Sequence, residues 1–383
     1  MRKLFHDFHL WLSIPLGIII SIICLTGALL VFEQDITQKI NEPYYKVTYQ
    51  KGAAKLQPAD IVYLVATQVP DSLRIATLEY GGGADDVCKV TFTNNPRRIM
   101  TINPYTGQVI DWVKSNTFFS EVRKLHRWLL NPPAVKGEMS VGKMIVGITT
   151  LLMVVILLTG LFIWIPRNNK ALFNRLKVSF TKGWHRFWYD LHVSLGFYAL
   201  IFLLIMALTG LTWSFKWYNN AAYALFGVSK KQESVIKTDK NQEGKSGQTQ
   251  QQDKRQKESD FKYTLWNRTM DDIDMLYPEY QSVTLSSTEV KIIPKATSGR
   301  RISDTAKIDP ETGAISQITN GNELPLSQTL KGWFFAFHTG SWGGIYTKII
   351  YFIAGLIGFT LPLTGYYMWW KKRKNGNRTR RKP

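Results

Sequence analysis

The chain has 383 residues, 45% of them hydrophobic, and a formal net charge of +20. So basic a chain suits nucleic acid or a membrane, and its long apolar runs decide for the membrane. Its two cysteines, Cys24 inside an apolar run and Cys88 outside one, are expected at different depths and give no disulfide framework.

In chain order, residues 1–9 form a short basic segment and residues 10–33 a first apolar run. That run is near the ~20 residues that span a bilayer. It is too long for a signal-peptide core and lacks a small-residue cleavage site, so it is expected to be retained. Residues 34–125 read as a small α+β domain: a helical stretch, the β-rich runs RIATLEY and VCKVTFT, and the tight turn NPYTGQVIDW at 103–112. GGGADD at 81–86 reads as the hairpin loop between those two runs. Residues 126–140 lead into a second apolar run at 141–165, followed by a basic loop at 166–191 and a third run at 192–215. Residues 216–337 repeat the α+β pattern with SVTLSS, VKIIP and the turn DPETGAISQI at 309–318. Within them, 229–260 is rich in Gln, Lys, Ser and Gly and reads as a flexible insertion. Residues 338–344 lead into a fourth run at 345–370, and 371–383 is a basic tail. Lys143 and Lys348 lie near run ends, where they can snorkel.

Charge sets the expected topology. Segment 1–8 carries Arg2 and Lys3, loop 167–191 carries six basic residues including Arg175 and Arg186, and the tail carries eight, against only Asp7 and Asp190. Under the positive-inside rule these segments are cytoplasmic, both termini are inside, and the two large loops are outside. The basic patch then needs no nucleic acid.

The chain also repeats itself. HLWLSIPLGIIISIICLTG from His9 and HVSLGFYALIFLLIMALTG from His192 run the same distance from His to Gly. Lys143 stands before Thr159-Gly160 as Lys348 stands before Thr364-Gly365, with Trp164 and Trp369 four residues after each glycine. All four runs carry L-T-G, whose glycines are read as helix-packing positions. The unit span, outside domain, span occurs twice, which implies a tandem duplication. The resulting four-helix bundle has two parallel halves about a pseudo-two-fold axis along the membrane normal.

Six histidines are present, and each flanks a span: His6, His9, His126, His185, His192 and His338. A lone histidine at a membrane border is ordinarily an interfacial polar residue. Here His9 matches His192 on the inner side and His126 matches His338 on the outer side. Two equivalent histidines brought together on an axis can supply both axial ligands of a haem iron inside a bundle. Zinc fits less well, since its sites want three or four protein ligands. His6 and His185 lie one and two helical turns before the inner pair. They remain alternative ligands, or contacts to a propionate or to lipid. Gly17 and Gly196 would leave room for a flat macrocycle, with close helix packing an equal alternative. Trp128, Trp333 and Trp342 flank the outer pair and are candidates to wall a substrate cleft, with interfacial anchoring as the plainer role.

GEMSVGKM at 137–144 imitates a phosphate loop, but Met144 replaces the hydroxyl residue and no strand precedes it. No strand–GxGxxG–helix unit and no H-E-x-x-H occur, so electrons would come from a separate reductase or quinol.

HLWLSIPLG, LHRWLL, LTGLFIWIPR, FWYDLHVSLG with LTGLTWSF, and LTGYYMWWKKR together resemble the PepSY-associated transmembrane family of bacterial iron-regulated membrane proteins, over nearly the whole chain. The two DPxTG-like turns resemble PepSY hairpins. Ser13 stands where a glycine often follows W-L in that family, and the flavoprotein fusion of some relatives is missing. The resemblance implies an α-helical membrane protein with two small extracytoplasmic PepSY-like domains, set in a bacterial cytoplasmic membrane. It further implies a haem-b reductase, with two haems per chain held by His9 with His192 and by His126 with His338, passing electrons to an extracytoplasmic ferric siderophore. A different reading is a non-catalytic membrane-anchored PepSY protein that binds or regulates an extracytoplasmic partner such as a protease. A third keeps the haems and changes the acceptor to a periplasmic redox protein or copper.

Overall fold

Each apolar run forms one long helix, because an unbroken helix is how a single segment satisfies all its backbone groups away from water. The computed structural model describes the chain except residues 71, 114–115, 136–137, 167, 229–261, 296–302 and 380–383. The insertion expected at 229–260 and the basic groups Arg167, Arg380, Arg381 and Lys382 lie outside the described residues.

The first half contains α1 (Arg2–Val31), α2 (Glu33–Ile40), α3 (Glu42–Tyr45), α4 (Pro58–Gln68), β1 (Ile75–Gly81), β2 (Cys88–Phe92), β3 (Asn95–Ile102), β4 (Val109–Trp112), α5 (Thr117–Trp128) and α6 (Val141–Trp164). After α7 (Asn169–Arg175) the second half follows with α8 (Trp184–Ser214), α9 (Lys216–Ala224), α10 (Leu265–Leu276), β5 (Tyr280–Ser286), β6 (Glu289–Pro294), β7 (Asp304–Ile308), β8 (Ile315–Thr319), α11 (Leu326–Thr339) and α12 (Gly344–Thr379).

These elements form two compact units. The helical unit comprises Met1–Gln34, Asn116–Val228 and Trp333–Pro383, and the sheet unit Asp35–Ser115 and Ser229–Gly332. Four segments of the helical unit, Arg2–Val31, Val141–Trp164, Trp184–Ser214 and Ser341–Lys374, are long and apolar enough to cross a membrane. The chain is therefore a multi-pass membrane protein. The first and third helices begin earlier than the apolar runs at 10 and 192, because the basic segments before them continue the same helices.

α1 packs on α6 and α12, and α8 packs on the same two, so α1 and α8 stand diagonally across the bundle. Their shared core includes Ile20, Cys24, Met153, Leu157, Ala199, Leu203 and Ala354. Small residues permit close approach: a side chain at Gly355 would meet Ala28, and one at Gly358 would meet Cys24 and Leu203. Polar cross-links add to this, from Ser21 Oγ to the Phe359 carbonyl at 3.0 Å and from Tyr366 Oη to the Ile14 carbonyl at 2.6 Å. Outward faces carry apolar residues such as Ile18, Phe162, Ile201 and Ile353, as lipid contact requires.

The strands of both expected small α+β domains lie in the sheet unit. Its eight strands form one antiparallel sheet in the order β4-β3-β2-β1-β5-β6-β7-β8. β1 and β5 pair directly, with Glu79 opposite Thr284 and Leu78 opposite Leu285. Neither half need then leave a free inner edge. Alternate residues such as Leu78, Val90, Val283 and Ile292 join one core with Ile61 and Val65 of α4 and Trp266 and Ile273 of α10. The two expected turns close β3–β4 and β7–β8. Asn103 and Asp309 accept backbone N–H bonds within them, and Gly107 and Gly313 adopt φ of +70° and +73°, which glycine takes without strain. Both cysteines are buried and free.

Candidate functional site

His126 is the third-from-last residue of α5, placed by a sharp stop. Asn116 caps α5 by accepting from the Phe119 N–H, and the helix ends on Leu129 and Leu130 at φ of +47° and +64°. Their N–H groups bond the Leu125 and Lys124 carbonyls, satisfying the helix end while turning the chain toward α6. There the Trp128 carbonyl presses on Gly142, where no side chain would fit. His338 occupies the corresponding last turn of α11, which stops at Gly340 (φ +72°). His9 and His192 lie on α1 and α8 near their N-termini.

The four histidines meet in two pairs. The His9 and His192 ring centres are 6.4 Å apart, and those of His126 and His338 are 6.2 Å apart.

Each ring is seated in the same way on the L-T-G of a neighbouring helix. His9 Nδ1 lies 3.0 Å from the Ile156 carbonyl and 3.3 Å from Thr159 Oγ1 on α6. His192 Nδ1 lies 3.1 Å from the Leu361 carbonyl and 2.8 Å from Thr364 Oγ1 on α12. His126 Nδ1 lies 3.0 Å from the Ile23 carbonyl and 3.1 Å from Thr26 Oγ1 on α1. His338 Nδ1 lies 2.9 Å from the Met206 carbonyl and 3.3 Å from Thr209 Oγ1 on α8.

The motif's chemistry follows from helix geometry. Each accepting carbonyl lies four residues before the glycine of its L-T-G, so it is the carbonyl that the glycine N–H also bonds in the helix. Without a side chain at the glycine, the carbonyl's second lone pair is open to the ring. A Cβ at Gly27 or Gly210 would stand 3.0 Å from the histidine Cε1, one at Gly160 3.2 Å, and one at Gly365 3.7 Å. Helix packing, the role expected for these glycines, is thus too general: each is the floor of a histidine seat. The threonines of the same tripeptides supply a second polar partner, a role that the tripeptide alone does not reveal. Their fourfold recurrence was the available signal.

A carbonyl only accepts, so Nδ1 must carry the proton and donate it. In a neutral imidazole that leaves the Nε2 lone pair for a metal. At the outer pair, burial is the main force lowering both rings' proton affinity. It holds His338 below the ordinary imidazole value and, with the nearby His338 and Arg127, pushes His126 down to about 4 despite the Ile23 bond.

The residues fit a bis-imidazole metal centre. An imidazole nitrogen sits about 2 Å from a bound metal and about 1.1 Å from its ring centre, so two rings on opposite sides of one ion have centres about 6.2 Å apart. Both observed spacings agree. Among the described residues, no group of three or more His, Cys, Asp or Glu side chains converges, as zinc would ask. The inner pair also borders a cavity of about 660 Å³ whose apolar lining includes Ile14, Leu157, Leu200 and Leu361. Gly17 and Gly196 line it too. A side chain at Gly17 would strike Tyr366 and Pro362, and one at Gly196 would touch Leu361, so the two glycines also pack helices closely.

His6 and His185 border the same cavity but lack a seat: His6 is exposed with Asp7 3.3 Å away, and His185 is exposed. Of the tryptophan candidates, Trp128 has the Arg127 guanidinium over its ring, and Trp333 and Trp342 both pack on Phe337, beside His338. Trp213, not singled out from the sequence, comes closer, its ring centre 5.2 Å from that of His338.

The search of curated proteins returns no match. The family model described as the PepSY-associated TM region matches residues 7–372, and the chain belongs to that family.

Proposed function

We propose that the helical unit is a di-haem b electron conduit and that the protein is a membrane reductase for extracytoplasmic ferric siderophores. In this reading it lies in a bacterial cytoplasmic membrane with both termini in the cytoplasm, the two halves of the chain being a tandem duplication. The observation that carries it is the pairing of four histidines in two sites, each ring fixed through Nδ1 on the carbonyl four residues before an L-T-G glycine. A module that only binds an extracytoplasmic partner has no use for such pairs at two levels of a bundle.

His9 with His192 and His126 with His338 would each hold one haem, which supplies one-electron transfer when bound. The seats hold each imidazole in one tautomer and orientation, and the apolar bundle keeps water from the metal. Fourteen residues separate His9 from Ile23 and His192 from Met206, about 21 Å at the helical rise of 1.5 Å per residue. Two sites at that spacing divide a hydrocarbon layer ~30 Å thick into shorter electron steps. One electron delivered to Fe(III) yields Fe(II), which a hard-oxygen chelator holds less tightly. The electron enters from a cytoplasmic reductase or from quinol.

Dithionite-reduced protein, freed of reductant and mixed anaerobically with ferric hydroxamate and catecholate chelates, should reoxidise while a ferrous-specific chelator traps one Fe(II) per electron lost. Reoxidation by a copper complex or a small redox protein, with no response to any ferric chelate, would move the function to another acceptor.

A further inference from the structure

Trp213 breaks the equivalence of the four histidine seats. It stands three residues after Gly210, one helical turn beyond the floor of the His338 seat. The same position after the other three seat glycines holds Leu30, Ile163 and Met368, none of them aromatic. The position therefore does not itself call for a ring, and Leu30 fills it beside the same outer pair. Helical side chains lean toward the N-terminal end, which carries the indole back onto His338. The two ring centres are 5.2 Å apart with their planes at 65°, an edge-to-face contact. Trp213 is nonetheless 39% exposed, in the last turn of α8. An interfacial anchor needs that exposure but not the contact with a histidine.

The charge at this end of the bundle is one-sided. Arg123 pairs with Glu33 and Lys124 with Glu121. Arg127, next to His126, is exposed, and its guanidinium lies over the Trp128 ring at 4.5 Å. Lys216 is exposed three residues after Trp213, and Lys143 lies in the first turn of α6. Among the described residues none of these three forms an ion pair, and Glu138 is the one acid at this end left to oppose them.

We propose that Trp213 is the docking platform for the electron acceptor and that it selects chelates combining aromatic rings with negative charge, the catecholate class, over neutral hydroxamates. This rests on the ferric-chelate reading of the outer site and narrows it. The exposed part of the indole stacks on a ring of the chelate, while Arg127 and Lys216 offset the chelate's charge. In a catecholate one aromatic ring carries both iron-binding oxygens, so a ring held on Trp213 brings the iron with it. A hydroxamate binds iron through a C–N unit that offers no such ring. A chelate stacked there is one side chain away from His338. One electron passes to Fe(III) and gives Fe(II), and no bond to Trp213 forms or breaks.

The test separates binding from electron transfer by using Ga(III), which matches Fe(III) in charge and size but is not reduced. Full-length protein in detergent is dialysed to equilibrium against four gallium complexes. The tris-catecholate is trianionic and aromatic, the tris-oxalate trianionic without rings, the tris-benzohydroxamate neutral and aromatic, and the tris-acetohydroxamate neutral without rings. The wild type should bind the catecholate most tightly. Trp213→Leu should weaken the catecholate and the benzohydroxamate about 10-fold, the scale of one lost aromatic stack, and leave the oxalate unchanged. Trp213→Phe should restore most of that affinity. Arg127→Gln should weaken the catecholate and the oxalate together and leave the benzohydroxamate unchanged. A wild type that binds the four complexes alike overturns the proposal. So does a Trp213→Leu protein whose affinities match the wild type, or fall equally for the oxalate and the aromatic complexes. If the gallium results hold and the reduced protein fails to reoxidise on the matching ferric complexes, the reductase reading falls and the binding site stands.

Discussion

Gly27→Ala isolates the seat from every other role of the motif. The added Cβ would stand 3.0 Å from His126 Cε1, against 3.4–4 Å for ordinary contact, so the ring must retreat by 0.4–1.0 Å. The Nδ1 bond to the Ile23 carbonyl, now 3.0 Å, would stretch past about 3.4 Å, where it contributes little. Losing that bond costs about 1 kcal/mol, and alanine's better helix propensity returns about as much. Fold stability should therefore hardly change. The orientation of a ligating imidazole is lost, however, which typically weakens a metal site about 10- to 100-fold. Gly365→Ala is the control: its Cβ would meet His192 Cε1 at 3.7 Å, an ordinary contact. The assay is haem retained per chain after washing with apo-myoglobin, read alongside the melting temperature in detergent. Gly27→Ala should lose the outer haem at an unchanged melting temperature, whereas Gly365→Ala should retain both. Equal haem loss in the two variants, or loss only through global unfolding, would refute the seat argument.

Thr364→Val should loosen the inner site more than Thr159→Val, because Thr364 Oγ1 is the nearer partner of His192 Nδ1 at 2.8 Å while Thr159 Oγ1 is the farther partner of His9 at 3.3 Å; relative haem off-rates check this. Gly82→Ala should destabilise the sheet unit by ~3 kcal/mol or more. Its Cβ would lie 1.8 Å from the Tyr280 carbonyl oxygen, where the two half-sheets join, and limited proteolysis should then clear that unit first. Burial works to raise the Asp86 carboxyl, but the Lys46 ammonium at 2.8 Å and the Gly83 N–H at 2.7 Å outweigh it and hold the group below 3.8. Its stabilisation is present above pH 3.8 and is lost as the pH falls through the folded-state value. Asp86→Asn should therefore flatten the acid limb of the sheet unit's stability profile against pH, as read by melting temperature at about pH 3 to 7.

Spans, histidines and turns were legible because each rests on local chemistry: uninterrupted apolar length, the matched positions of His9 with His192, and the Asn103 and Asp309 turns. The joining of β1 to β5 was not, since RIATLEY and SVTLSS lie some 200 residues apart and carry no mark of which edge they meet. The L-T-G seat was half legible. Four identical tripeptides were visible, but a glycine that opens a carbonyl reads the same as one that admits a neighbouring helix. The histidine Nδ1 at the carbonyl, as in His126 at Ile23, separates the two.

The central claim is that His9 with His192 and His126 with His338 each hold one haem. The direct measurement is a pyridine haemochrome count on purified full-length protein, paired with the dithionite-reduced absorption spectrum, for the wild type and the four single His→Ala variants. The account predicts two b-type haems per chain in the wild type and one in each single variant. His9→Ala and His192→Ala should lose the same spectral component, and His126→Ala and His338→Ala the other. A wild type without haem, or variants that retain the wild-type count, would contradict it.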